Sequence, residues 1–176
     1  IPLRLVGSEM CIRDSFYAMD ALHLDAVAAA RAAGIAMTTV GVVLILVQLG
    51  LAKARRMNAA RCLAAGAVLA GVGFLLMPWL GGAPGLYGCY AVMAAGMGLV
   101  FPSIQTLAAN AVNPEEQGIA AGSVTAVQGM AMVVAPLACT LLYGVRPWLP
   151  YVAAASLLLL LALATAAHLR RSAQFS

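Results

Sequence analysis

The side chains able to do chemistry in this chain are few, and their spacing suits recognition rather than bond making. Thr38, Gly41, Ile45 and Gln48 recur at intervals of three and four, as do Thr125, Gln128 and Met132, and Tyr90, Met93, Met97 and Phe101 form a third series. Such intervals put each set on one face of a helix. Hydroxyls, amides, aromatic rings and flexible thioethers on such faces would offer hydrogen bonds and an adaptable apolar wall, which suits the binding of varied amphiphilic molecules. Glu115 and Glu116 are adjacent, yet the run Asn113-Pro114-Glu115-Glu116 reads as a helix start, with Asn113 as N-cap, Pro114 at the first position and Glu116 reaching back. Both acids also suit the positive end of the helix dipole. Acid/base catalysis needs a pocket with water or substrate between its carboxylates, which an interfacial turn does not provide, so no enzyme is expected. Cys62, Cys89 and Cys139 lack the paired spacings of a metal or disulfide framework and read as small packing residues. His23 and His168 have no second ligand nearby in sequence. No metal and no cofactor is expected.

The elements that carry these residues are set by charge. None of Asp, Glu, Lys or Arg occurs from Cys62 to Pro114, from Gln117 to Val145, or from Pro147 to Leu169. Charged residues make up 9% of the chain and mean hydropathy is +0.97, whereas a soluble domain is about one quarter charged. A membrane crossing takes about 20 apolar residues. The chain therefore reads as an all-α membrane protein of five transmembrane helices at about Ala26–Leu51, Cys62–Leu80, Leu86–Val112, Gly118–Tyr143 and Trp148–Leu169. Its first partner is the lipid bilayer.

Orientation follows from the cations. Lys53, Arg55, Arg56 and Arg61 crowd the connection between the first two spans, and Arg170 and Arg171 follow the last. With five spans these two places lie on the same side, which the positive-inside rule makes cytoplasmic. The expected location is the cell inner (plasma) membrane, with residues 172–176 a cytoplasmic tail. Arg31, in the first turns of span one, can snorkel to the outer headgroups. The net charge of +4 reflects these loops and no nucleic-acid partner, since no basic-aromatic surface accompanies it.

Intramembrane polar groups are costly when they face lipid, so Thr38, Gln48, Thr125 and Gln128 are expected to face protein or a water-filled cavity. Two readings stay open for them: a binding surface shared with Tyr90, Met93, Met97 and Met132, or plain interhelical hydrogen bonds and packing. Pro102 and Pro136 each remove a backbone hydrogen bond within a span, freeing the carbonyls of Gly98 and Met132 as possible hinges. Gly66 with Ala70 and Gly118 with Gly122 have the small-xxx-small spacing of close helix contacts. Gly81–Gly85 reads as the break between spans two and three.

Residues 1–15 stand apart. Leu5–Ser15 resembles, across all eleven residues, the translation of a transposase adapter used to prepare DNA sequencing libraries. On that reading residues 1–15 are an artefact without ordered packing, the natural polypeptide starts no earlier than about Phe16, and residues 16–171 are a truncated bundle.

The segments Gly96-Met97-Gly98-Leu99-Val100-Phe101-Pro102-Ser103-Ile104-Gln105 and Asn113-Pro114-Glu115-Glu116-Gln117-Gly118-Ile119-Ala120-Ala121-Gly122 resemble the tenth helix, the following short loop and the eleventh-helix start of major facilitator superfamily transporters, the drug:proton antiporter branch most of all. In that register Phe16-Tyr17 looks like the outer end of the seventh helix and the five spans look like helices eight to twelve of a twelve-helix fold. The basic run Ala54–Arg61 resembles the loop between helices eight and nine, with Asn58 where the family usually has Gly; Asn also tolerates a left-handed turn. In span four, Ala135 and Cys139 stand where the antiporter helix frequently has Gly, and the Asp common in the corresponding loop of the family's other half is absent.

The resemblance implies a fragment of a secondary transporter that moves a small molecule by alternating access, most simply an exporter, with the polar faces of spans one, three and four on its central path. It implies a missing amino-terminal half as partner and possible coupling to protons. No ionisable residue lies deep in these spans, so such coupling would reside in the missing part. An uptake transporter of the same superfamily, a ten-helix drug/metabolite exporter, and a non-transporting membrane anchor or assembly subunit are the alternatives.

Overall fold

The computed structural model describes residues 26–53, 58–79 and 83–174. Residues 1–25, with the adapter-like run and His23, lie outside the described residues, as do Arg55, Arg56 and residues 80–82. The described residues form five helices, α1 (Ala26–Lys53), α2 (Ala59–Leu76), α3 (Ala83–Asn110), α4 (Gln117–Val145) and α5 (Leu149–Gln174), with a 3-10 turn at Pro114–Glu116 ahead of α4. All five are long and apolar enough to cross a membrane. At 1.5 Å per residue the 18-residue α2 spans about 27 Å, close to the hydrocarbon thickness, whereas the 28 residues of α1 exceed it.

Helix ends show where local chemistry departed from expectation. Asn58 is extended, with φ −70° and ψ 116°, and its side chain accepts the Ala60 N–H at 2.9 Å. It is the N-cap of α2 rather than a left-handed turn residue, a role that Asn fills well because its carbonyl reaches an orphan amide. Asn113 stands at the N-cap of the 3-10 turn, but its side chain makes no capping bond. The Glu116 N–H donates instead to the Asn113 backbone carbonyl at 2.9 Å, so the amide a capping box would satisfy is already taken. The second span ends at Leu76, earlier than the expected Leu80, in a turn over Met77–Trp79. Pro84 and Gly85, read as part of a break, fall inside the first turn of α3, where a missing N–H leaves no helical bond unmade.

Packing centres on α3. It lies against α2 on one side and α1 on another, α5 packs on α2, and α4 attaches more sparsely. Among the described residues, eight of the sixteen buried hydrophobic side chains are alanine, while leucines and valines such as Leu69, Val72, Val133, Leu137, Leu157 and Leu163 point outward. This inversion suits a lipid solvent: tails are as apolar as Leu, so helices gain by close backbone approach rather than by hiding large side chains. The closest approach is between α2 and α3, where an added Cβ on Gly66 would meet the Gly96 carbonyl at 2.7 Å and one on Gly96 would run into the Ala70 backbone. Gly66 and Ala70 thus form the small-residue seam their spacing suggested. Gly73 admits Met93 in the same way, and Gly98 seats Leu44 and Val47 of α1.

Two core clusters mark the two ends of the bundle. Leu63, Ala67, Val100 and Ala162, flanked by Ile104 and Leu107, lie toward the end where Arg61 opens α2 and Arg170 nears the end of α5. Ala36, Met77, Leu86, Cys89 and Tyr90 lie toward the other, with Val40, Tyr87 and Tyr151 against them. Trp79 and Trp148 are exposed at this second end, and the Arg146 guanidinium sits 6.0 Å from the Trp148 ring centroid. Aromatic rings at helix ends are what a membrane interface selects, since they combine an apolar body with a polar edge.

Candidate functional site

Along α4 the less exposed positions are Ala120, Val124, Gln128, Met132, Pro136 and Cys139, a stripe with spacing of four and then three that is turned toward the bundle. Gln128 and Met132 lie on it, near the middle of the helix. Thr125 lies off it, exposed, with its hydroxyl donating to the Ala121 carbonyl at 2.9 Å. The Gln128 amide, with two donors and an acceptor, makes no hydrogen bond among the described residues. One turn on, Pro136 has no N–H to offer the Met132 carbonyl. Mid-α4 therefore presents, on a single half-shielded stripe, an unbonded amide and, one turn on, a backbone carbonyl that lacks its usual i+4 donor.

The other faces fare differently. On α1 the residues that meet α3 are on the side of Ala36, Val40, Leu44 and Val47. At about 100° per residue, Thr38, Gly41, Ile45 and Gln48 lie round the helix from that side, and Thr38, Ile45 and Gln48 are exposed. The Thr38 hydroxyl donates to the Gly34 carbonyl at 2.9 Å. The same back-bond occurs at Thr39, Thr106, Ser123, Thr140 and Thr165, so these hydroxyls are satisfied within their own helices. That removes most of the cost that was expected to force Thr38 and Thr125 inward.

On α3 the series splits by depth. Tyr90 and Met93 are buried at 2% and 5% exposure, in the packed layer against Gly73 of α2 and Met77 just beyond its end, whereas Met97 is half-buried and Phe101 exposed. Pro102 and Pro136 both stand within continuous helices, each with a threonine four residues on that donates to the proline carbonyl, at 2.8 Å from Thr106 and 2.7 Å from Thr140. Back-bonding of this kind bends helices and reinforces the proline's effect. Gly118 and Gly122 are exposed, with nothing among the described residues within 4 Å of a Cβ at either. Lys53, Arg61, Glu115 and Glu116 are exposed at the basic end.

Two features escaped the sequence reading. Ser103 is the buried polar side chain of the described residues, and its register with Gly96 and Val100 on the α2-facing side of α3 was the available signal. The aromatic end is the other, visible as Trp79, Tyr87, Trp148 and Tyr151 flanking two connections. No group of His, Cys, Asp and Glu able to hold a metal occurs among the described residues.

A bundle of bilayer-length helices, sealed by small residues and carrying polar groups at mid-depth, defines a multi-pass membrane protein. The family model of the Major Facilitator Superfamily matches residues 14–174, and the chain belongs to that superfamily of membrane transporters. Comparison with curated proteins and with solved structures returned no match.

Proposed function

We propose that this bundle is the carboxyl-terminal half of an exporter that carries a small amphiphilic molecule by alternating access, rocking against a second helical bundle about a midplane site. The observation that carries the reading is the amide of Gln128, held half-shielded at mid-depth without a partner among the described residues, one turn from Met132, whose carbonyl gets no helical donor from Pro136. A purely structural amide would be expected to bond across to a neighbouring helix. The unpacked polar face of α1 at Thr38 and Gln48 is available to the second bundle or to the substrate path. Met97 and Met132 supply the adaptable apolar part of the site.

Coupling to protons, if used, falls to the companion bundle, because the described spans hold no acid at depth. The basic end is cytoplasmic by the positive-inside rule, in the plasma membrane. Residues 1–15 take no part in this reading; residues 1–13 lie ahead of the family match, which begins at Asp14.

Everted membrane vesicles from cells expressing the native gene test this. Under an imposed pH gradient they are expected to accumulate at least one of a panel of fluorescent amphiphiles above the level of vesicles lacking the protein. In the same vesicles Asn58→Cys should react with an impermeant thiol reagent and Pro147→Cys should be shielded. Accumulation confined to right-side-out vesicles would make the protein an importer, and the reverse labelling pattern would invert its orientation.

A further inference from the structure

Away from the candidate path, an open groove between α2 and α5 has a volume of about 720 Å³ and is lined by apolar side chains, among them Ala65, Val68 and Val72 of α2 and Leu159, Leu163 and Ala166 of α5. That volume falls within the roughly 300–1,000 Å³ of small-molecule pockets. Alanines make the hollow: Ala162, which packs with Leu63 and Ala67, forms its floor, and Ala65 and Ala166 stand at its margins. From Ala64 to Val72 it runs about 12 Å along α2, most of the roughly 15 Å hydrocarbon depth of one leaflet.

Its mouth is cationic. Arg61 stands four residues before Ala65 on α2, and Arg170 four residues after Ala166 on α5, so each residue lies about one turn beyond the groove on the helix face that lines it. The helices are antiparallel, since Leu63 clusters with Ala162 while Gly71 meets Leu159 and Ala155, which brings both cations to the same end. Both are exposed, and neither helix contains an acid; Glu115 and Glu116, at that end, lie on the turn leading to α4. A second copy of the chain docked in a two-fold manner across the groove would set like charges against each other at this mouth. A molecule with an apolar tail and a single anionic head meets both halves at once.

We propose that the groove binds an anionic glycerophospholipid, one acyl chain lying along Val68, Val72 and Leu159 and its phosphate taken by Arg61 and Arg170. Guanidinium matches phosphate geometry with paired hydrogen bonds, and basic pockets between helices at a membrane surface select acidic headgroups.

Native mass spectrometry of the intact chain in detergent, titrated with phosphatidylglycerol or with phosphatidylcholine of the same chains, reads the preference directly. Phosphatidylglycerol should bind first and at least about fivefold more tightly, and Arg61→Gln with Arg170→Gln should abolish the difference. Ala65→Trp, which fills the groove and keeps both cations, should weaken that first adduct, and glycerophosphoglycerol without acyl chains should not displace it. Equal binding of the two lipids by the unaltered chain would overturn the proposal without recourse to any variant. So would an Ala65→Trp chain that binds as before, displacement by the free headgroup, or chain dimers that Ala65→Trp dissolves, since the last would make the groove's occupant a second copy.

Discussion

Gly96→Ala is expected to destabilise the bundle by about 1–3 kcal/mol, although alanine is the better helix former. The added Cβ would run into the backbone of Ala70 and the carbonyl of Gly66, and backbone cannot swing aside as a flexible side-chain end can. The seam would have to part, and with it the layer in which Met93 fills the notch at Gly73. Gly88→Ala on the same helix is the control. Nothing lies within 4 Å of its Cβ position, so that change should be neutral or stabilise by up to about 1 kcal/mol. Unfolding of the purified protein in mixed detergent, followed by circular dichroism, separates the two. A Gly96→Ala protein as stable as its Gly88→Ala counterpart would mean that the α2–α3 crossing is looser than the structure has it.

Gln128→Ala is expected to lower the apparent affinity for transported substrate about two- to twelvefold, the worth of a neutral hydrogen bond of about 0.5–1.5 kcal/mol, while expression and detergent stability stay near the unaltered protein. The asymmetry follows from the amide's having no partner to lose among the described residues. Thr125→Val should have a smaller effect, because its hydroxyl is engaged with the Ala121 carbonyl. Initial rates in everted vesicles, measured over a range of concentrations of whichever amphiphile accumulates, give both values. Collapse of expression on Gln128→Ala would assign the residue to packing, and unchanged kinetics would remove it from the path.

Much of the fold was legible because one physical quantity dominates it. A charge-free run of bilayer length has few folded options; Lys53 and Arg61, Glu115 and Glu116, and Arg146 separate the runs, and the uncharged Gly81–Gly85 break divides the longest, so helix number and order follow from the sequence. The Gly66–Ala70 spacing likewise pointed to the seam it makes, although the partner, Gly96, emerged only when the helices were placed. Helix ends were less legible. Asn58 and Asn113 carry the same side chain, yet one caps and the other does not, since a 3-10 turn had already used the amide in question. The candidate site was harder still, because periodicity fixes which residues share a face and not what that face meets. Thr38, Thr125 and Gln128 look alike as intramembrane polar groups. Back-bonding to Gly34 and Ala121 quiets the first two and leaves the amide, which has no such carbonyl bond among the described residues. Tyr90 and Met93 share a face with Met97, but depth along α3 puts them in the packed layer at the aromatic end.

The central claim is that water and substrate reach the mid-depth stripe of α4. Its most direct measurement is thiol accessibility in native membranes, with Cys62, Cys89 and Cys139 replaced by alanine and single cysteines introduced at Gln128, Met132, Val133 and Leu137. Val133 and Leu137 are 68% and 65% exposed on the outward side of the same helix and serve as lipid-facing references. A small charged thiol reagent is predicted to modify Gln128→Cys and Met132→Cys and to spare the other two, because thiolate forms only where water enters. Modification of none of the four, or of Val133→Cys and Leu137→Cys in preference, would contradict the account and leave α4 a packing helix.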